Sequence, residues 1–225
     1  MLNNNMLLIS SGGGGNASII GPVYTAPSGR EYARHESGMG SVMFYADGTD
    51  RRVLVLDAIF RGSAPFTSQA ANVSSLPAIN IPRGLSFCGL SVPASQMTDA
   101  MLNSVTRDPN TSRYNCNIWM RYAGMEAVRA CRKLYVDGEA CDLPNCQLAA
   151  RIMCDSEFID SIDPTVGANP THALAHIWGS GSRVHTSTKS ADSAGYPIYV
   201  YPPNNYYSNT FNSRWIYTPV LELAA

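Results

Sequence analysis

The chain has 225 residues, a formal net charge of −1 and only 15% charged residues, against roughly 25% in an average soluble domain. This balance excludes the clustered basic face of a nucleic-acid-binding protein and the polybasic patch of a membrane-surface protein. No apolar run approaches the roughly 20 residues of a membrane span, and Met6–Ile9 lacks the flanks of a signal peptide, so we expect neither. The surface must therefore consist mostly of uncharged polar groups, which suit contact with other subunits or with uncharged ligands.

The N-terminal region is rich in Gly, Asn and Ser and holds only isolated apolar pairs, such as Ile19-Ile20. That composition predicts an extended arm or small strands rather than a core, and an arm of this kind buries itself against a partner. Gly12–Gly15 lacks the Lys-Ser/Thr of a phosphate-binding loop and is interpreted as a flexible joint. We place the boundary after residue 45, with an attachment and oligomerisation arm over 1–45 and a folded domain over 46–225.

Two turn sequences predict hairpins in the first part of the domain. Asp47-Gly48-Thr49-Asp50 separates the apolar runs 41–45 and 52–60, which is a strong hairpin pattern. Further along, the residues 134–136 are predicted to form a strand that enters the turn Asp137-Gly138.

Helical spacing dominates the middle of the chain. Apolar residues over 116–134 recur at helical intervals, and a second helix is predicted to begin after Pro144 and to stop at Asp163-Pro164. From Ala173 onwards the helical spacing ends, and short apolar runs predict an antiparallel sheet with strands at residues 175–178, 198–201 and 215–223.

The residues that usually carry catalysis or metal binding do not form a recognisable pattern. His172 and His176 are four apart but have no HExxH frame, and no GxSxG nucleophile elbow is present. Acidic residues cluster at the end of a predicted helix and are interpreted as a solvated face: Asp155, Glu157, Asp160 and Asp163. The cysteines lack paired CxxC spacing and are expected to be reduced, mostly buried thiols: Cys88, Cys116, Cys131, Cys141, Cys146 and Cys154. We therefore expect no enzyme activity, no metal and no cofactor.

The most informative segment runs from Ser180 to Trp215. Of its 36 positions, 19 are Ser, Thr, Tyr or Asn, and Asp192 is the only acid. Evolved binding loops have this composition, because Tyr offers a large contact area at low entropic cost and Ser and Asn offer adaptable hydrogen bonds. A solvated polar loop has the same composition, so the composition alone leaves both interpretations open.

Three stretches of sequence together carry a resemblance to a known group of proteins. They are VLVLDAIFRG over 53–62, the pieces WMRYAG, CRKLYVDGEACDLPN and IDSIDPT within 117–165, and IWGSGSRVHTSTKS with NSRWIYTPVLEL near the C-terminus. In combination they resemble phage and prophage virion proteins with a C-type-lectin-like fold, over roughly residues 50–223. Some of these are tail-tip receptor-binding proteins, and others are variable proteins of diversity-generating retroelements.

This resemblance implies an α+β fold, with two main helices against a small twisted antiparallel sheet. The segment between Trp178 and Trp215 would then be presented on one face above a rigid frame. Calcium-dependent lectins of this fold carry Glu-Pro-Asn or Gln-Pro-Asp, whereas Leu143-Pro144-Asn145 lacks the acidic first member, so no calcium is expected. Trp119 and Trp215 are predicted to lie in the core.

The resemblance and the composition together predict a virion protein that binds a host-cell surface receptor, a protein or a glycan. Other virion proteins would bind the N-terminal arm, and a homo-oligomer is expected, with a trimer as the family-level number. A purely structural subunit of a baseplate, collar or capsid decoration is the alternative. Assembly would take place in the bacterial host cytoplasm. The expected receptor contacts are Trp178, Arg183, His185, Tyr199, Asn204, Asn205, Tyr206, Tyr207, Asn209, Asn212 and Arg214.

Overall fold

The computed structural model describes residues 19–46, 48, 50–65, 126–144, 146–179, 184–189, 197–201, 205–208 and 214–223. This part of the chain has an α+β fold, as expected, with two five-stranded sheets, a two-stranded hairpin and short helices. Within it, all strand pairs but one are antiparallel.

The first sheet combines the N-terminal strands with the last strand of the chain. In spatial order its strands are β1 (Ile19–Thr25), β2 (Glu31–His35), β3 (Gly40–Phe44), β4 (Arg52–Leu56) and β12 (Val220–Leu223). The predicted hairpin around Asp47–Asp50 is confirmed, because β3 and β4 pair with Val42 opposite Leu54.

The second sheet holds the described parts of the C-terminal segment. Its strands, in spatial order, are β10 (Asn205–Ser208), β9 (Pro197–Tyr201), β8 (Val184–Lys189), β11 (Arg214–Tyr217) and β5 (Gly62–Pro65). The pairing of β8 with β11 is the parallel one. Two chain segments pass from one sheet to the other side by side, because β4 leads to β5 while β11 leads to β12. The frame of the second sheet is therefore continuous with that of the first.

Four α-helices are described: α1 (Glu126–Arg132), α2 (Cys146–Cys154), α3 (Ser156–Ile162) and α4 (Leu174–Gly179). Short 3-10 turns cover Ala58–Phe60 and Pro170–His172. The predicted helix after Pro144 is confirmed as α2 and α3, and it stops before Pro164 as expected. None of the described helices is long and apolar enough to cross a membrane.

The hairpin of β6 (Tyr135–Val136) and β7 (Glu139–Ala140) confirms the prediction for the Asp137-Gly138 turn. Asp137 has φ 50° and Gly138 has φ 87°, and positive φ at both central residues defines the type I′ turn that matches strand twist. Val136 packs with Val42 and Leu54, so this hairpin covers one face of the first sheet.

The N-terminal region corrects one expectation. The expectation of an extended arm or small strands is confirmed for the strands, but the expectation that they form no core is wrong, because β2 and β3 lie inside the first sheet and contribute buried side chains such as Tyr32 and Met43. The boundary after residue 45 falls between β3 and β4, which pair with each other. Composition misled here because a strand needs few apolar residues when its neighbours supply the rest of the core.

A second correction concerns residues 175–178, which were expected to form a strand. They belong to helix α4, whose first backbone N–H groups are bound by the distant Asp160 carboxylate. The strands predicted over 198–201 and 215–223 are confirmed as β9, β11 and β12, with Pro219 separating the last two. Of the helix predicted over 116–134, only the portion from Glu126 lies within the described residues.

Candidate functional site

The candidate site is the second sheet from β8 to β10 with the loops it carries, and its base is buried. Val184, His185 and Thr186 at the start of β8 have no exposed surface, and Trp215 on β11 is 9% exposed, as predicted for a core residue. The described residues nearest the two ends of the Ser180–Trp215 segment, at the starts of β8 and β11, are thus fixed in the interior. A polar segment anchored in this way can present its tips without moving at its base.

His185 is part of this buried base and not of an exposed contact surface, which corrects its expected role as a receptor contact. Its Nε2 lies 3.0 Å from the Ala64 carbonyl oxygen on β5, and its ring lies 5.5 Å from the Trp215 ring. Burial lowers the pKa of His185 from 6.5 to about 4, while the hydrogen bond to Ala64 opposes that shift. At neutral pH the imidazole is therefore uncharged and donates its Nε2 proton across the sheet.

The register of β9 and β10 sorts the aromatic positions of the hairpin between two faces. Tyr207 is opposite Tyr199, and Asn205 is opposite Tyr201. Directly opposed residues, and residues two apart on a strand, share a face. The positions Tyr199, Tyr201, Asn205 and Tyr207 therefore form one uncharged face, which we call the tyrosine face.

The opposite face of the same hairpin is aliphatic on β9. Ile198 and Val200 occupy it, and the position opposite Val200 is Tyr206. Helix α2 packs against β8 and β9 and offers buried Leu148 and Ile152. Val200 is opposite Val184 and Tyr199 is opposite His185, and both β8 residues are buried, so each face of the hairpin continues into the buried base. The residue types of the tyrosine face make it the candidate for contact.

The expected contacts divide into three groups. Tyr199, Asn205 and Tyr207 share the tyrosine face, and Tyr206 lies on the other one. Trp178 is in α4, and Arg214 begins β11. The remaining ones lie outside the described residues: Arg183, Asn204, Asn209 and Asn212.

A buried ionic network, which was expected to be a solvated acidic face, holds the helices against the sheets. Arg61 Nη1 donates to Asp160 Oδ1 at 3.3 Å and to the His172 carbonyl at 3.0 Å. Asp163 Oδ2 lies 3.5 Å from Arg61 Nη2 and accepts a hydrogen bond from the Ala58 backbone N–H. Asp163 is buried, so the expectation of a solvated face is wrong for this residue.

Asp160 connects this network to the start of the candidate segment. Its carboxylate accepts the backbone N–H groups of Leu174 and Ala175, which lie in the first turn of α4. A carboxylate at this place satisfies donors that have no partner within the helix and complements the helix dipole. Burial raises the pKa of Asp160, and the two backbone hydrogen bonds act against that rise.

Asp155 lies at the junction of α2 and α3 and forms the second buried cluster. Its Oδ2 accepts hydrogen bonds from Ser28 Oγ at 2.9 Å, Arg30 Nη1 at 3.1 Å and Tyr32 Oη at 2.6 Å. Arg30 and Tyr32 have no exposed surface, and Asp155 is buried with them. Sequence spacing had no means of finding this cluster, because more than 120 residues separate the partners.

Within the described residues, no group of three or more His, Cys, Asp or Glu side chains is placed to hold a metal ion. His172 Nδ1 lies 2.7 Å from Asn169 Nδ2. Burial raises the pKa of the Cys131 and Cys141 thiols, that of Cys141 to about 11. These two thiols are therefore protonated at neutral pH.

The described chemistry of the site is thus an uncharged face of tyrosine and asparagine positions on a hairpin whose neighbouring strands are anchored in the core. Comparison of the chain with models of protein families, with curated proteins and with solved structures gives no match.

Proposed function

We propose that the chain is a virion protein of a bacteriophage, of the tail fibre or tail tip, which binds a host-cell surface receptor through its C-terminal loops. The observation that carries this proposal is the tyrosine face, since the register brings Tyr199, Tyr201, Asn205 and Tyr207 together on a hairpin of the second sheet. Aromatic anchors with adaptable amides are the residue types that dominate binding surfaces. Binding is proposed to need no calcium and to involve no catalysis.

The finer fold assignment belongs to the same proposal. We infer a C-type-lectin-like domain from the sequence resemblance, and three features of the architecture support it. The fold is α+β, helix α2 packs against β8 and β9 of the second sheet, and the described strands of the Ser180–Trp215 segment lie in that sheet between the buried starts of β8 and β11.

The frame beneath the segment supports recognition rather than a mobile linker. The base of β8 is held by His185 and Trp215, and α4, which precedes it, is held by Asp160. A rigid base reduces the entropy that a loop loses on binding, and this increases affinity without new contacts. The same segment could then vary at its tips while the frame stays constant.

The test that separates receptor binding from a structural role uses phage particles. Particles that carry Tyr199→Ala with Tyr207→Ala should assemble in normal number and appearance, and they should adsorb to host cells at least tenfold more slowly. The reason is that the substitutions remove contact area from the tyrosine face and replace none of the buried base residues, including His185 opposite Tyr199.

Tyr206→Ala is the matched control, because it removes the same side chain from the neighbouring position on the other face. Failure of the double variant to assemble, with purified protein still folded, would favour a baseplate, collar or capsid-decoration subunit. Normal adsorption by the double variant would remove the tyrosine face from receptor binding.

A further inference from the structure

Strand β1 is an exposed, uncharged edge of the first sheet. Six of its seven residues are exposed, and its sequence IIGPVYT contains no charge. The apolar side chains of Ile20, Val23 and Tyr24 are 51%, 40% and 40% exposed. A long edge strand with exposed apolar side chains and no charge is a surface that invites association.

The other edge of the same sheet is closed. Asp142 bridges the outer side of β12, with its N–H donating to the Val220 carbonyl at 2.8 Å and its carbonyl accepting from the Val220 N–H at 2.9 Å. Among the described residues, no comparable bridge covers β1, which is the outermost strand at the opposite edge of the sheet. One edge of the sheet is bridged and the other is exposed. We therefore expect β1 to bind a partner segment.

The local shape of β1 indicates how an occupant would bind. The register shifts between Ile20 and Tyr24, Gly21 has φ 78°, and Pro22 has no N–H to donate. Continuous backbone pairing along this edge is therefore interrupted. Ile20 is opposite Arg34 and Tyr24 is opposite Tyr32, so both apolar positions share one face and can be covered together by side chains.

The chain itself contains a segment of matching chemistry. Residues 1–18, which run directly into β1, carry no charge and include the continuous apolar run Met6-Leu7-Leu8-Ile9. A continuous apolar run of this length is typical of a strand buried on both faces. We propose that β1 is the docking surface for the Met6–Ile9 segment of a second copy of this chain.

Burial is the reason for assigning the segment to a second copy. β1 is itself exposed at six of its seven residues, so it offers cover to one face only of a segment that binds it. Between two copies, the neighbour's surface covers the second face. The nine residues 10–18, with Gly12–Gly15 as a joint, span up to about 30 Å when extended, which is enough to reach a neighbour.

This contact is heterologous, because the segment of one copy binds the edge of the next. Such contacts close into rings when the rotation between copies allows it, and a trimer is one such ring. The inference does not depend on receptor binding, since it uses the first sheet and the proposed function uses the second.

Sedimentation velocity of the full-length protein tests the inference with two variants. The edge variant is Ile20→Lys with Val23→Lys, and the segment variant is Leu7→Asp with Leu8→Asp. The native protein should form a closed oligomer at micromolar concentration. Each variant alone should be a folded monomer, with association weakened roughly 100-fold by the loss of two apolar contacts.

Mixing the two variants gives the sharpest outcome. The edge variant retains a native segment and the segment variant retains a native edge, so the mixture should form a 1:1 complex. Tyr135→Lys, which charges a 60% exposed apolar residue on the β6–β7 hairpin, is the matched control and should assemble like the native protein.

Three results would overturn the inference. A native protein that is monomeric throughout, with a segment variant that associates, would assign Met6–Ile9 to its own chain. Oligomers that survive both variants would place the interface elsewhere. Variants that stay monomeric when mixed would show that the segment of one copy does not bind the edge of another.

Discussion

Buried polar side chains determine how the candidate segment is held. His185 crosses from β8 to the Ala64 carbonyl on β5, and Asp160 binds the first N–H groups of α4. Asp155 accepts hydrogen bonds from three donors in β2 and in the turn before it. Each of these side chains joins elements that are far apart in sequence, so each couples the stability of the frame to one ionisable group.

The stability of the protein should fall in mild acid because of His185. Its folded-state pKa of about 4 lies below the ordinary value of 6.5, so protonation favours the unfolded chain. The contribution is complete above pH 6.5 and is lost as the pH falls towards 4. Between pH 7.5 and pH 4.5 we expect about 2–3 kcal/mol of this stability to disappear in urea unfolding.

The His185→Gln variant, which keeps a donor for Ala64, should show a smaller loss over the same pH interval. His176→Gln is the control, because it makes the same replacement at an exposed histidine. An identical pH profile for the native protein and His185→Gln would contradict the buried, neutral state of this imidazole.

Asp155→Ala should lower the free energy of unfolding by about 3 kcal/mol, measured by urea titration at pH 7. The substitution removes the carboxylate that accepts from Ser28, Arg30 and Tyr32 while the Arg30 charge stays buried. Glu157→Ala, two positions away on exposed α3 surface, should change stability by less than about 0.5 kcal/mol. Equal effects of the two variants would show that the Asp155 cluster adds no stability.

The backbones of β3 and β4 pack so closely that a single substitution can test their pairing. A Cβ atom on Gly40 would collide with the Val55 carbonyl oxygen and meet Leu54 and Leu56. Gly40→Ala should therefore destabilise the protein by about 1–3 kcal/mol, through strand separation. Thermal unfolding would show this as a loss of several degrees in Tm.

Gly167→Ala provides the comparison, because nothing lies within 4 Å of the Cβ position at Gly167. This variant should be neutral or slightly more stable, since alanine restricts the unfolded chain. A Gly40→Ala variant as stable as Gly167→Ala would mean that β3 and β4 do not pair in this register.

Local sequence patterns predicted the elements that neighbouring residues determine. The Asp137-Gly138 turn needs two residues of positive φ, and the helix stop at Asp163-Pro164 needs only proline chemistry, so both could be read directly. Helix α4 could not, because the Asp160 carboxylate that binds its first turn lies 14 residues before Leu174. The composition allowed small strands in the N-terminal region but did not indicate their burial, since the buried Arg30 and Tyr32 depend on the remote Asp155.

At the level of the whole molecule, the sequence resemblance implied the α+β class, whereas nothing in the sequence indicated the two-sheet arrangement. The first sheet joins residues 19–56 to 220–223, and no periodicity within either segment reveals that pairing. The candidate segment was located by composition, yet composition treats Tyr206 and Tyr207 alike. Only the strand register separates them onto opposite faces.

At the scale of the whole molecule, two separate surfaces are proposed to make two separate contacts. The edge at β1 is proposed to bind a second copy, and the tyrosine face on the second sheet is proposed to bind the receptor. A continuous frame joins them through β4–β5 and β11–β12. Variants in one surface should therefore leave the other function intact, which separate assays of mass and of cell binding can verify.

The most direct test of the central claim is the binding of purified protein to intact bacterial cells from a broad panel of candidate hosts. The native protein should bind at least one strain, Tyr207→Ala should weaken that binding by at least about tenfold, the size expected of one aromatic anchor, and Tyr206→Ala should retain it. Absence of binding to every strain by a well-folded native protein, or equal loss in both variants, would contradict recognition through the tyrosine face.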